Sequence, residues 1–249
     1  MKPVAIFRHF KTEGPGYFAT FLDRHSIPWQ LIAIDQGETV AATPDAYSGI
    51  ALLGGPMSVN DPLPWIVPLC VLLRSAMAKD IPVIGHCLGA QLMSKALGGH
   101  ISPSPFKEIG WGGVRSENND SARHWLGQWL GTSGGEASVF QWHGERFSIP
   151  AGAQRLFSSP FCDNQMFALG PHLAMQCHVE MTAEMIEEWC ACWPAEVQGL
   201  DPLPASVQTP EQMRKEAPER LVNMRQLADQ LYSVWIKGLK QGRQQQLKP

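Results

Sequence analysis

The stretch Ile81-Pro82-Val83-Ile84-Gly85-His86-Cys87-Leu88-Gly89-Ala90-Gln91 passes from an apolar run through a G-x-C-x-G turn into a helix-forming segment. A strand, a sharp turn and a helix make a nucleophile elbow, because flanking glycines let the nucleophile adopt a strained backbone and project its side chain beyond the sheet edge. Position at a helix start adds something for cysteine: free backbone N–H groups and the positive end of the dipole favour a thiolate. Of the six cysteines, Cys87 is the one expected to react. The competing reading is a glycine-rich turn holding an ordinary buried cysteine.

Acyl transfer by a thiolate needs a base that moves the proton and a third group that orients the base. His178-Val179-Glu180 supplies both types after the apolar run Leu173 to Cys177. Open sheets place their sites at the carboxyl ends of strands. Residues two apart on an extended segment face the same side, so the Glu180 carboxylate can receive the His178 N–H. The developing oxyanion needs backbone N–H donors. Leu88, next after the nucleophile, offers one, and Gly55 in Gly54-Gly55-Pro56 offers a second where glycine permits close approach. An ordinary loop is the competing reading for that triplet.

These residues need a sheet beneath them. Val4 to Phe7, Trp29 to Ile34, Gly49 to Leu53 and Ile81 to Ile84 read as strands, with helical spacing from Gly16 to His25 and from Trp65 to Lys79. That alternation predicts an α/β fold with a mostly parallel central sheet and helices on both faces. Leu88 to Leu97 reads as the elbow helix, closed by Gly98-Gly99. From His100 to about Pro160 short strand-like runs predict antiparallel hairpins, at Ile109 to Trp111, Ser138 to Trp142 and Gln154 to Phe157. Met166 to Leu169 and Leu173 to Cys177 read as two more strands. Thr182 and Glu184 predict the cap and first turn of a helix ending near Pro194. Residues 195–210 read as a connection. Leu221, Met224, Leu227, Leu231 and Trp235 mark one long amphipathic helix, or a pair, from Glu211 to about Leu239. The tail Lys240 to Pro249 reads as frayed. One domain over 1–195, with a linker and C-terminal helical segment over 196–249 packed on it, is the expected organisation.

The composition bounds the partners. With 44% hydrophobic and 17% charged residues the chain can build a core, which excludes disorder of the bulk. A formal charge of −3 without a long basic run predicts neither a nucleic-acid surface nor membrane attraction. The N-terminus is too early charged for a signal peptide, and no apolar stretch reaches the ~18 residues of a membrane span. A cytoplasmic protein with reduced thiols is expected. Cys190 and Cys192 point to different faces of a helix, so no metal site is predicted there.

Gly54-Gly55-Pro56, Gly85-His86-Cys87-Leu88-Gly89-Ala90-Gln91 and His178-Val179-Glu180, in that order, resemble class I (triad-type) glutamine amidotransferases over roughly residues 40–185. Phe140-Gln141-Trp142-His143-Gly144-Glu145 and Asn164-Gln165-Met166-Phe167 look like the free-standing branch related to the glutaminase domain of GMP synthase, which also includes γ-glutamyl peptidases. The resemblance implies a flavodoxin-like sheet, a Cys87–His178–Glu180 triad and a γ-glutamyl thioester. It further implies substrate contacts from Gln91, and from Gln141, Trp142 and His143 lining the same pocket. For His143, a loop-capping role is the alternative. Many relatives have proline where this chain has Val179, a change that only loosens the turn.

Neither a metal nor an organic cofactor is required by such chemistry. The chain contains no phosphate-cradling G-x-x-x-x-G-K-[ST] loop, so an ammonia-accepting synthetase would be a separate polypeptide. The expected activity is release of glutamate and ammonia from glutamine. One rival is a stand-alone γ-glutamyl hydrolase acting on γ-glutamyl amines or peptides. A non-catalytic flavodoxin-like binding module is the other, although such a module has no need of all five catalytic positions. Trp111, Trp125 and Trp129 read as interior aromatics, with an acceptor pocket or partner face as the alternative if exposed.

Overall fold

The computed structural model describes residues 1–240, so the expected fraying of the tail lies, apart from Lys240, outside the described residues. A nine-stranded sheet runs in the order β2-β1-β3-β4-β9-β8-β7-β5-β6. β1 (Val4–Arg8), β2 (Trp29–Ala33), β3 (Gly49–Leu52), β4 (Val83–His86) and β9 (His172–Met175) pair in parallel and form its central block. β8 (Met166–Leu169), β7 (Gln154–Ser158), β5 (Ile101–Ser116) and β6 (Glu136–Phe147) continue it antiparallel.

Side chains of β1 alternate between two cores, as the pleat requires: Val4 and Ile6 enter one, Ala5 and Phe7 the other. The first core is covered by α1 (Gly16–Arg24), α4 (Asp120–Ser133), α5 (Ala183–Cys192) and α6 (Pro210–Trp235). The second is covered by α2 (Ile66–Ala78) and α3 (Leu88–Ala96). Strands buried on both faces read as continuous apolar runs, which is why the parallel block was visible in the sequence. This is the flavodoxin-like α/β arrangement, with helices on both faces.

The middle of the chain departs from expectation. Residues 120–133 form α4 where hairpins alone were expected, with Asn119 accepting from the Ala122 N–H at its N-cap. Ala122, Trp125, Leu126 and Trp129 carry helical spacing, while Gly127 at φ 46°, a poor helix former, kinks the helix. Trp111, Trp125 and Trp129 are buried, as the interior reading expects. The run at Ile109 to Trp111 is part of a 16-residue strand rather than a short one. β9 stops at Met175, two residues early, and His178 follows in a bent segment bridged to Phe140 of β6.

α6 is one continuous helix, opened by a capping box of Thr209 and Gln212. Its buried side chains, including Leu221, Met224, Leu227, Leu231 and Trp235, join the first core. Tyr232 of α6 meets Phe18 and Phe21 of α1 edge-on, with ring centroids 4.9 and 5.4 Å apart.

Candidate active site

β4 runs straight into Cys87, which caps α3 with φ 48° and ψ −107°, a backbone that L side chains rarely adopt. Its N–H donates to the Met175 carbonyl at 2.7 Å, and its carbonyl accepts from the Gln91 N–H at 3.0 Å. The turn is tight enough to exclude side chains on both flanks: a Cβ on Gly85 would meet Gly89 backbone at 2.6 Å, and one on Gly89 would strike the Leu52 backbone. This strain at a single residue is the elbow anticipated from the glycine spacing.

The bent segment after β9 brings His178 over the same edge, its N–H donating to the Phe140 carbonyl at 2.8 Å. His178 Nδ1 donates to Glu180 Oε1 at 2.6 Å, with both side chains 1% exposed. Burial works against both charges. It is outweighed at His178 by the Glu180 charge and by Cys87, which hold the imidazole well above its ordinary value. At Glu180 it is outweighed by His86 and His178, which hold the carboxyl below its ordinary value. The edge of the Trp189 ring abuts His178, with centroids 4.8 Å apart, and limits rotation of the imidazole.

Glu180 has further supports. Its backbone carbonyl accepts from the Tyr17 N–H at 2.8 Å. Oε2 lies 3.6 Å from Nε2 of His86, which is in turn 3.1 Å from the Tyr232 hydroxyl. Burial pushes His86 down, against the pull of the Glu180 charge.

Cys87, His178, Gly55, Gln91, Trp142 and His143 line one cleft of about 300 Å³. Among the described residues, the amides of Gly55 and Leu88 donate no hydrogen bond. The two residues are in close contact, for a Cβ on Gly55 would sit 2.8 Å from the Leu88 side chain. Gln91 Nε2 donates to Gln176 Oε1 at 3.3 Å, and Gln176 Nε2 donates to Cys87 Sγ at 3.5 Å. The Trp142 carbonyl lies 3.9 Å from Cys87 Sγ, while its indole packs on Trp189 and Trp193.

Gln141 is not brought to this cleft. It shares a face of β6 with His143, opposite Trp142, and lines a separate cavity of about 140 Å³ with Glu108, Gly110, Phe161 and Gln208. Alternation along the strand separates it from Trp142. His143 borders the cleft, but its Nε2 lies 3.2 Å from Glu108 Oε2 and its Nδ1 3.1 Å from the Glu145 carbonyl.

Two polar residues at the site escaped the sequence reading. Gln176 belongs to the strand-end segment and carries no motif signal. Glu13, on the loop after β1, lines the cleft while only 4% exposed, and burial pushes its carboxyl up to about 8. A cluster of His, Cys, Asp and Glu that could hold a metal is absent among the described residues. No described helix is long and apolar enough to cross a membrane. The arrangement has the parts for nucleophilic attack on an amide: a thiol, a buried imidazole–carboxylate pair and free amides.

Known proteins resemble this chain in sequence and in fold. The profile described as glutamine amidotransferase class-I matches residues 25–187. A solved glutamine amidotransferase from Methylobacillus flagellatus superposes with a TM-score of 0.93 at 39% identity, covering 100% of both chains. Gamma-glutamyl peptidase 3 of Arabidopsis thaliana is 26% identical over 72% of this chain and 74% of its own length. A glutamine-hydrolysing GMP synthase of Aromatoleum aromaticum is 28% identical over 59% of this chain, which spans 30% of that protein. The chain belongs to the class-I glutamine amidotransferase family.

Proposed function

We propose that this protein hydrolyses the γ-amide of glutamine or of a γ-glutamyl compound through a thioester on Cys87. The observation that carries the reading is the convergence, in one cleft, of a strained elbow cysteine and a buried His178–Glu180 pair. Cys87 Sγ adds to the γ-carbonyl carbon, and the oxyanion is held by the N–H groups of Gly55 and Leu88. The C–N bond breaks as His178 Nε2 delivers its proton to the departing nitrogen, and Glu180 keeps the imidazole oriented. Water, deprotonated by His178, then cleaves the thioester to glutamate and free thiol. Gln91 faces the glutamyl half of the substrate, with Trp142 and His143 on the opposing wall.

Which amide is cleaved divides two readings. As a glutaminase, the protein would release ammonia to a synthetase on another polypeptide. A self-sufficient γ-glutamyl hydrolase is supported by the likeness to gamma-glutamyl peptidase 3 over nearly three quarters of both chains.

Glutamate release from glutamine and from a panel of γ-glutamyl amides and peptides, by wild type and Cys87→Ala, tests the proposal. Turnover lost in Cys87→Ala is expected, and the preferred substrate separates the readings. Undiminished turnover in that variant would overturn it. So would a wild type that neither turns over any substrate nor is labelled on Cys87 by a glutamine-like diazo ketone.

A further inference from the structure

The cleft holds one buried acid that this mechanism does not use. Glu13 is 4% exposed, faces the cleft, and its carboxyl makes no hydrogen bond among the described residues. Burial holds this carboxyl up to about 8, so near pH 7 it is protonated, and it ionises when a cation in the cleft pairs with it.

Its neighbours fix which part of a substrate it meets. A Cβ on Gly54 would stand 2.5 Å from Glu13 Oε2 and 3.1 Å from His178 Cε1, so acid and imidazole flank one point. The adjacent Thr12 carbonyl is held by the Trp189 indole N–H at 3.0 Å, which ties this loop to the ring abutting His178. Along the carboxyl edge of the sheet Glu13 follows β1, Gly55 follows β3, Cys87 follows β4 and Gln176 follows β9. Gln91 and Gln176 are linked to the sulfur of Cys87, whereas Glu13 meets the His178 ring at Gly54. His178 hands its proton to the departing nitrogen, so the departing amine lies toward Glu13.

No protein cation in the cleft is free to pair with it. The charged groups acting on Glu13 are His178, Glu180 and Glu188, and His178 is already bonded to Glu180. Lys107 is held by Glu196 at 2.7 Å. His143 faces Glu108. Glu145, bonded to the Ser58 hydroxyl, adds further negative charge to the lining.

From this arrangement we infer that Glu13 selects the leaving group, receiving a cationic nitrogen carried by the amine half of a γ-glutamyl amide. The inference rests on the hydrolytic reading above and specifies its substrate class as γ-glutamyl amides of diamines or related polycationic amines. Glu13 makes and breaks no bond. The departing amine still takes its proton from His178, and water still cleaves the C–S bond. Amino-acid leaving groups bring a carboxylate rather than a cation to this point and forgo the pairing.

The test compares kcat/KM for γ-glutamyl amides of 1,4-diaminobutane and of n-pentylamine, a neutral analogue of matching length, in wild type and Glu13→Gln. The expected wild-type ratio favours the diamine by about tenfold or more and falls toward unity in Glu13→Gln. A wild-type ratio near unity, or one unchanged in the variant, would overturn the inference. Protection of Cys87 from a glutamine-like diazo ketone by the same two amides reads binding without turnover, so a slow variant still reports. Labelling of wild type blocked equally by both amides removes the Glu13 assignment alone, whereas absence of labelling and turnover removes the hydrolytic reading beneath it.

Discussion

Nδ1 of His178 lies 2.6 Å from Oε1 of Glu180, and neither side chain is more than 1% exposed. Because His178 is raised above 6.5 and Glu180 lowered below 4.5, the pair links folding to pH on both sides. A lowered carboxyl contributes stability that is present above its unfolded value and lost as pH falls through its folded value. A raised histidine contributes stability that is complete below its unfolded value and lost as pH rises through its folded value. The contribution of the pair is thus greatest between 4.5 and 6.5. Thermal melts of wild type and Glu180→Gln should differ most in that window and converge on either side of it. A difference constant with pH would contradict the assignment.

Loss of the proton carrier should cost more than loss of its orienting group. His178→Ala is expected to lower kcat by about 10²- to 10⁴-fold and Glu180→Gln by less. Tyr232→Phe, which removes the hydroxyl 3.1 Å from His86 Nε2, should reduce stability by about 1 kcal/mol and lower kcat least of the three. Steady-state kinetics on the best γ-glutamyl substrate, with denaturant melts alongside, gives the ranking; a reversed order contradicts these roles.

Two helical glycines should respond to alanine with opposite signs. At Gly89 the new Cβ would strike the Leu52 backbone of β3, which cannot move without displacing the sheet. At Gly131 in α4 nothing lies within 4 Å of the new Cβ. Gly131→Ala should raise stability by about 0.5–1 kcal/mol, and Gly89→Ala should lower it by more than that. Urea denaturation with an unchanged slope is the measurement, and stabilisation by Gly89→Ala would contradict the packing.

Strain at Cys87 predicts a further inversion. At φ 48° a Cβ is unfavourable, so Cys87→Gly should melt above Cys87→Ala although glycine is the more flexible residue when unfolded. The expected gap is about 1 kcal/mol, with both variants inactive. Equal or reversed melting temperatures would show that the elbow carries no strain in solution.

What the sequence determined by itself was local. Gly85, Cys87 and Gly89 sit within one turn, and His178 and Glu180 two positions apart, so chain geometry alone sets their relations once a strand precedes each. The parallel block was legible because strands buried on both faces must be apolar throughout. α4 was not, because Gly127 and Gly131 are poor helix formers within a segment whose apolar spacing at Ala122, Trp125, Leu126 and Trp129 is helical. The resemblance implied a place in the cleft for Gln141, but β6 turns it away from Trp142 into a separate cavity with Glu108 and Gln208.

Tertiary structure decided what lies across the sheet edge. Glu13 and His178 are separated by most of the chain, and they meet at Gly54 because the loop after β1 and the segment after β9 fold over the same carboxyl edge of the sheet. The pairing of β4 with β9 sets Gln176 against Cys87, and the packing of the C-terminal helix carries Tyr232 to His86 behind the triad. Such contacts leave no periodic trace in the sequence, because they arise from the packing of elements that share neither a turn nor a strand.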